Sequence, residues 1–163
     1  MEQKTSVRST VKALILHDGK ILLNRCYDRK NGEYYSLPGG GQNQYETLPE
    51  ALIRECREET GYTVELVRFA ALMEEICLDP EIRDLYAEYA HKMLHIFVCS
   101  LTKEKAEKPT ETDDLQVACE WIPVESIPAL KLLPVQVKKN FEKLMQSECP
   151  IFLGSVYLEH NHG

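Results

Sequence analysis

The sequence lacks any apolar run long enough to cross a membrane. A membrane-spanning helix needs about 20 consecutive apolar residues, and no segment of this 163-residue chain approaches that length. Residues 1–5 also lack the apolar stretch of a secretory signal. We therefore expect a cytoplasmic location and no membrane contact. The length fits one domain over residues 1–163, because single domains commonly contain roughly 100–200 residues.

An excess of basic residues is also absent. The chain has 19 Lys and Arg residues against 26 Asp and Glu residues, which gives a net charge of −7. Proteins that hold nucleic acid through its phosphates present a basic surface. We therefore expect no stable nucleic-acid binding. The acidity still leaves open a small substrate that is itself anionic.

The sequence also lacks closely spaced pairs of cysteines. No two cysteines have Cys-x-x-Cys spacing, and no His stands at zinc-ligand spacing from a cysteine pair. The six cysteines are Cys26, Cys56, Cys77, Cys99, Cys119 and Cys149. Without a secretory signal, we expect them to be free and mostly structural, in a reducing compartment. His160 and His162 could bind a metal weakly, but we expect a frayed segment there.

The pattern of apolar residues predicts a mixture of strands and helices. Residues 7–27 alternate in hydrophobicity around Asp18-Gly19, which favours a β-hairpin. Further strands are predicted at residues 34–37, 62–69, 70–76, 93–101 and 117–122. A short helix could follow Asp79-Pro80, and a single helix is predicted at 134–145. The helices are spaced widely enough to cover more than one face of a sheet, so we expect one α/β sandwich.

The clearest helix begins after three consecutive glycines. Thr47 and Glu50 have the spacing of a capping box, and Gly61 is a natural helix stop. Residues 103–114 are highly charged and predict a solvated loop. Residues 150–163 are expected to be peripheral to the domain.

Three glutamates project from one side of this helix. Glu55, Glu58 and Glu59 are spaced i, i+3, i+4, so their carboxylates repel one another unless a cation intervenes. Oxygen ligands of this kind suit Mg²⁺. Glu46 could add a carboxylate, and Arg54 lies one turn before Glu58 and can orient it. The alternative is a solvated acidic face balanced by arginines of the same helix.

These residues resemble the Nudix box of the Nudix hydrolases, which include the MutT-like proteins. The box reads G-x5-E-x7-R-E-U-x-E-E-x-G-U, where U is a bulky apolar residue. Gly40, Glu46 and the run 54–62 match every fixed position in one register. Cys56 and Tyr62 occupy U positions where aliphatic residues are commoner. The lead-in at 37–40 and a late Trp121-Ile122-Pro123 also look like this family, so the resemblance covers about residues 7–145.

The resemblance implies an α/β/α sandwich with a mixed sheet and hydrolysis of a nucleoside diphosphate linked to another moiety. Water attacks phosphorus in this reaction, with Mg²⁺ or Mn²⁺ bound. The implied metal ligands are Glu55, Glu58, Glu59 and the carbonyl of Gly40. The implied catalytic group consists of Glu55, Glu58, Arg54 and Glu46, with Arg54 as a partner for a glutamate and Glu46 as an auxiliary ligand or orienting group.

The general base stays open at this stage. Family members differ in this residue, which could be Glu55 or an acid on a later loop. Acids in that region are Glu111, Asp113, Asp114 and Glu120, of which we favour the cluster at 111–114. The alternative is that all four only keep a long loop solvated.

Residues that choose the substrate lie outside the box. Tyr86, Tyr89 and Phe97 could stack on a base, and Arg25, Arg29 or Lys92 could hold a distal phosphate. For each of them, core packing or a solvated surface is the alternative. The partner is expected to be a small nucleoside diphosphate derivative of unspecified identity, and a homodimer is a further expectation from the resemblance.

Three other functions remain open. A non-catalytic ligand-sensing domain of the same family would usually have lost a box carboxylate, and this chain keeps all of them. An isomerase of isoprenoid diphosphates would need a catalytic cysteine, and no cysteine is placed convincingly for it. An interaction protein with an acidic helix is the remaining alternative.

Overall fold

A computed structural model describes residues 6–103, 106–110 and 115–162. Its strands are β1 Arg8–His17, β2 Lys20–Asp28, β3 Gly32–Ser36, β4 Gly39–Gly41, β5 Val64–Cys77, β6 His91–Leu101, β7 Gln116–Pro123, β8 Leu132–Leu133 and β9 Ile151–Leu158. Its α-helices are α1 Leu48–Thr60, α2 Pro80–Leu85, α3 Val135–Lys139 and α4 Phe141–Gln146. Short 3₁₀ helices cover Ala87–Tyr89 and Val124–Ala129. No helix among the described residues is long and apolar enough to span a membrane.

The strands form one mixed sheet. Its order is β8-β3-β2-β1-β6-β5-β9, with β4 on β1 and β7 on β2. β1 and β2 form the predicted hairpin, and both turn residues, Asp18 and Gly19, have positive φ. The pairs β1–β6, β3–β8 and β5–β9 are parallel, and the others are antiparallel.

Helices cover both faces of this sheet, as predicted. Side chains alternate between the faces of a strand, so Val11 and Ala13 pack with α1, while Leu14 packs with α3 and α4. The two apolar clusters are therefore separate layers on either side of the strands. The predicted α/β/α sandwich with a mixed sheet is confirmed.

Two predicted elements have different boundaries. The strands predicted at 62–69 and 70–76 are one strand, β5, whose pairing with β6 shifts register between Phe69 and Ala71. The helix predicted at 134–145 is two helices separated at Asn140. The Asn140 side chain donates to the carbonyl of Gln136 and competes with the helical backbone.

The expectation of a frayed, peripheral segment after residue 150 is wrong for the described residues. β9 pairs in parallel with β5 and lies at the end of the sheet. His162 is buried, and its Nε2 lies 3.1 Å from Oε1 of the buried Glu75. This segment is therefore packed into the domain by a strand pairing and a buried polar contact.

Most of the cysteines are buried, which agrees with the structural role predicted for most of them. All six are free, and four of them are buried: Cys26, Cys56, Cys77 and Cys99. Burial raises the pKa of Cys99 and of Cys119 to about 12. The thiolate is the reactive form of cysteine, so these two thiols are poor nucleophiles at neutral pH.

Candidate functional site

Both ends of α1 are fixed by local hydrogen bonds. At its start, Thr47 Oγ1 accepts from the backbone N–H of Glu50 at 3.3 Å, and the Glu50 carboxylate accepts from the Thr47 N–H at 2.8 Å. At its end, Gly61 adopts the left-handed conformation, and its N–H donates to the Arg57 carbonyl. The predicted capping box and stop are both present. They fix the ends of the helix whose Glu55 and Glu59 lie against the glycine segment, residues 39–41.

Arg54 is the centre of the site. Its Nε and Nη2 donate to the two Glu46 oxygens at 2.7 and 2.9 Å. Its Nη1 donates to Glu55 Oε1 at 2.7 Å and to Glu58 Oε2 at 3.1 Å, and Nη2 donates to the Gly41 carbonyl at 2.9 Å. A guanidinium has five N–H donors, and all five are used. We call Arg54, Glu46, Glu55 and Glu58 the Arg54 cluster.

The Arg54 cluster concentrates negative charge. Three carboxylates share one guanidinium, and hydrogen bonds from Arg54 lower the pKa of Glu46 below its usual value. Both Glu46 oxygens accept from Arg54, and Oε2 also accepts from the Asn43 N–H. The contacts of Glu46 are therefore with Arg54 and the backbone of residue 43.

Glu55 and Glu58 each keep one oxygen that Arg54 does not contact. Arg54 uses Oε1 of Glu55 and Oε2 of Glu58. Residues 6–103, 106–110 and 115–162 contain no group of three or more His, Cys, Asp or Glu side chains that could hold a metal ion. The donor set nevertheless fits a hard divalent cation, because carboxylate oxygens are the ligands that Mg²⁺ and Mn²⁺ prefer.

Glu59 faces inward, unlike Glu55 and Glu58. The residue is 8% exposed, and its carboxylate accepts from the Asn24 side-chain amide at 3.0 Å and the Gly39 N–H at 2.9 Å. Burial raises the pKa of Glu59 to about 7, although Lys12 and these two donors act against the rise. In the described structure, Glu59 ties α1 to β2 and to the glycine segment.

At each position of the glycine segment, a Cβ atom would lie too close to a different neighbour. Gly39 has a φ of 138°, and a Cβ there would lie 2.0 Å from the Val11 carbonyl oxygen. A Cβ on Gly40 would lie 2.5 Å from a Glu55 carboxylate oxygen, and one on Gly41 would lie 2.2 Å from Nη2 of Arg8. The segment pairs with β1 as strand β4, which the sequence did not predict. Carboxylate and guanidinium therefore approach the backbone of neighbouring glycines.

A cavity of about 120 Å³ adjoins the glycine segment. Its wall includes Arg8, Lys12, Tyr89, Lys92 and Asn161. Gly40 lines this cavity and also faces Glu55, so the cavity and the Arg54 cluster share one piece of backbone.

The structure separates the residues predicted to contact substrate. Tyr89 lines the cavity, with the Arg8 guanidinium 4.8 Å from the centre of its ring. Tyr86 is 51% exposed and is not part of the cavity wall. Phe97 lies in the core beside Phe69, which is the core-packing alternative considered for it.

Arg25 does not reach the cavity. Its guanidinium lies 3.5 Å from a Glu33 oxygen and 3.1 Å from a Glu120 oxygen. Glu120 also accepts from the Tyr35 hydroxyl. Arg29 is exposed. Glu111, Asp113 and Asp114 lie outside the described residues.

Sequence reasoning missed Arg8, Lys12, Asn24 and Asn161. Lys12 and Asn24 are polar residues directly next to buried apolar residues of β1 and β2, which is a signal that could have identified them. Arg8 and Asn161 carry no such signal, because their proximity depends on strand pairing distant in sequence.

Comparisons with known proteins agree on one family. A family model described as NUDIX domain matches residues 7–144. A Caenorhabditis elegans protein that carries the name nudix hydrolase 1 is 27% identical over 112 residues, covering 69% of this chain and 26% of that protein. An RNA pyrophosphohydrolase of Novosphingobium aromaticivorans is 37% identical over 62 residues, covering 38% of each. The chain thus spans well under two thirds of either relative.

A solved structure supports the fold. A NUDIX hydrolase from Nitrosomonas europaea superposes with a TM-score of 0.68 at 20% identity, covering 86% of this chain and 89% of that one. At this level of identity, the match concerns the fold alone.

Proposed function

The chain belongs to the NUDIX family, and we propose that it hydrolyses the diphosphate linkage of a nucleoside diphosphate joined to another moiety. The observation that carries the proposal is the Arg54 cluster, in which one guanidinium uses all five donors and leaves an oxygen each on Glu55 and Glu58. A purely solvated acidic face would not require such an arrangement. The RNA pyrophosphohydrolase named above gives further support, because its name denotes cleavage between phosphates.

Glu55 and Glu58 would hold Mg²⁺ or Mn²⁺ through these two oxygens, with the Gly40 carbonyl as a further ligand. When bound, the cation would neutralise charge on the diphosphate and lower the pKa of the attacking water. Arg54 keeps the two carboxylates in place, and Glu46 fixes the orientation of Arg54. Glu59 stays a predicted ligand, and its Oε2 accepts from the Gly39 N–H in the described contacts.

A carboxylate must take the proton of the attacking water, because hydroxide is the stronger nucleophile. Glu55 and an acid at 111–114 are our two candidates. Glu120 is less suitable, since Arg25 and Tyr35 already contact its carboxylate.

A nucleotide panel tests this proposal. Purified chain is incubated with nucleoside diphosphate derivatives and Mg²⁺, and released phosphate is measured after coupling to a phosphatase. We expect turnover on at least one member and its loss when EDTA removes the cation. Binding of a nucleotide without turnover on any member would favour the ligand-sensing alternative and overturn the proposal.

A cytoplasmic location and a homodimer remain proposals. The six free thiols support a reducing compartment. Sedimentation of the purified chain tests the dimer.

A further inference from the structure

We propose that the cavity beside the glycine segment is a phosphate subsite formed by Arg8, Lys12 and Lys92. The proposal deepens the proposed function and rests on it for the link to turnover: the subsite would hold a substrate phosphoryl group other than the one attacked by water. The substrate would then be a nucleotide with a phosphate on the cavity side of the glycine segment.

Charge distinguishes this cavity from the rest of the molecule. Arg8, Lys12 and Lys92 line it, and no Asp or Glu belongs to its described wall. The whole chain has a net charge of −7, so this concentration of cations is local. The nearest anion to Lys92 is Glu75, which is 1% exposed and lies behind it at 3.2 Å. A concave site of one charge sign attracts ligands of the opposite sign.

The three cations keep donors for a ligand. The Lys12 ammonium donates to the carbonyls of Leu37 at 3.4 Å and Gly39 at 3.2 Å. The Lys92 ammonium contacts Glu75 and donates to the His162 carbonyl at 3.4 Å. An ammonium has three N–H donors, so each lysine retains one.

Arg8 retains more N–H donors for a ligand than either lysine does. Among the described residues, its guanidinium has no carboxylate partner and lies over the Tyr89 ring. A cation–π contact of this kind does not use the N–H groups of the guanidinium. Planar guanidinium forks match the geometry of phosphate oxygens.

Mutual repulsion of the lysines adds to the attraction for an anion. Burial lowers the pKa of Lys92, of whose side chain only 12% is exposed; Glu75 acts against this shift, and Lys12 acts with it. An anion between them would relieve the repulsion.

Size favours a phosphate over a nucleoside. The cavity measures about 120 Å³, and an apolar cavity of about 150 Å³ holds one benzene ring. A base with its ribose is larger than benzene, whereas a phosphoryl group is smaller. Arg8 lies over one face of the Tyr89 ring, so a base could stack on that face only by displacing the guanidinium.

Binding of inorganic phosphate to the metal-free chain tests the subsite. In EDTA, phosphate is titrated into ¹⁵N-labelled chain while the amide signals of the glycine segment are followed. We expect saturable shifts there. Arg8→Gln should weaken the affinity about tenfold, because it removes a charge-assisted hydrogen bond. The matched control Lys20→Gln alters an exposed cation at the hairpin and should leave the affinity unchanged.

The outcomes separate the two proposals. Equal affinity in the wild-type chain and Arg8→Gln, with both folded by circular dichroism, would overturn the subsite. So would the absence of saturable shifts at the glycine segment. Phosphate binding without turnover in the nucleotide panel would retain the subsite and overturn the hydrolase. With an active substrate in hand, Arg8→Gln should raise KM more than it lowers kcat.

Discussion

At the scale of single residues, the proposed site consists of carboxylates that one arginine contacts. Arg54 contacts Glu46, Glu55 and Glu58 through separate N–H groups. Lysine could not replace it, since an ammonium has three donors without the planar fork of a guanidinium. Changing a carboxylate and changing the glycine beside it should therefore affect turnover in different ways.

Glu58→Gln should lower kcat by roughly 10²–10⁴-fold, the usual contribution of a catalytic acid–base or charged group. The amide removes the negative charge that would hold the cation, while the shape of the side chain is nearly unchanged. The measurement is steady-state turnover at saturating Mg²⁺. The control is Glu125→Gln, which neutralises an exposed glutamate in a 3₁₀ helix. Unchanged turnover in Glu58→Gln would contradict the role of this carboxylate.

Gly40→Ala should impair turnover more than folding. Gly40 does not have a positive φ, so its backbone accepts alanine. The new Cβ would lie 2.5 Å from Glu55 Oε2 and must displace the flexible end of that side chain. We expect kcat to fall about 10²-fold, as for a misplaced catalytic group, and the free energy of unfolding to change by less than about 1 kcal/mol. Normal kcat would show that the position of Glu55 is unimportant.

At the scale of elements, the helix α1 connects local sequence to the site. Thr47→Ala should lower the free energy of unfolding by about 1 kcal/mol, because the N-cap hydroxyl is lost. Urea unfolding measures the change. Thr47→Ser keeps a hydroxyl and should stay near the wild-type value. Equal losses in both variants would mean that the hydrogen bond to Glu50 is not the stabilising contact.

The sequence predicted α1 well because its determinants are local. Thr47, Glu50 and Gly61 fix the ends of the helix, and the spacing between Arg54 and Glu58 places both on one side. The predicted cap, stop and shared face therefore need no knowledge of the rest of the chain. The exception is Glu59, whose inward orientation depends on an asparagine of β2.

The cavity could not be predicted in the same way. Arg8 and Lys92 face each other because β1 and β6 pair in parallel with these two residues in register. Asn161 reaches the cavity wall only because the strand before it, β9, pairs with β5. Sequence reasoning did name Lys92 as a possible phosphate contact, but it gave equal weight to Arg25 and Arg29. Those two differ from Lys92 only in long-range contacts.

At the scale of the whole molecule, a buried ionic contact should make stability depend on pH in acid. Glu75 is 1% exposed beside Lys92 and His162. These partners outweigh the effect of burial and lower its pKa from 4.5 to about 2. A carboxylate whose pKa is lower in the folded state than in the unfolded state stabilises the fold, and this stabilisation is complete above pH 4.5. That stability is lost as the pH falls from 4.5 towards 2.

Glu75→Gln should therefore flatten the decline in unfolding free energy over this acid range. Urea unfolding at a series of pH values measures it. The variant should also be less stable than wild type at neutral pH, because buried Lys92 loses its partner. The control is Glu81→Gln, an exposed glutamate on α2. An equal acid slope in wild type and Glu75→Gln would exclude Glu75 as its source.

The parallel pairing of β1 with β6 also has a kinetic consequence. The β1–β2 hairpin closes over a two-residue turn, whereas Arg8 and Lys92 meet only after a long stretch of chain has been brought together. Contacts between residues distant in sequence carry a larger loop-closure cost and slow folding. The cavity should then assemble after the hairpin. An anion that binds there would recognise only chains whose central strands have already paired, and would act as a reporter of completed folding.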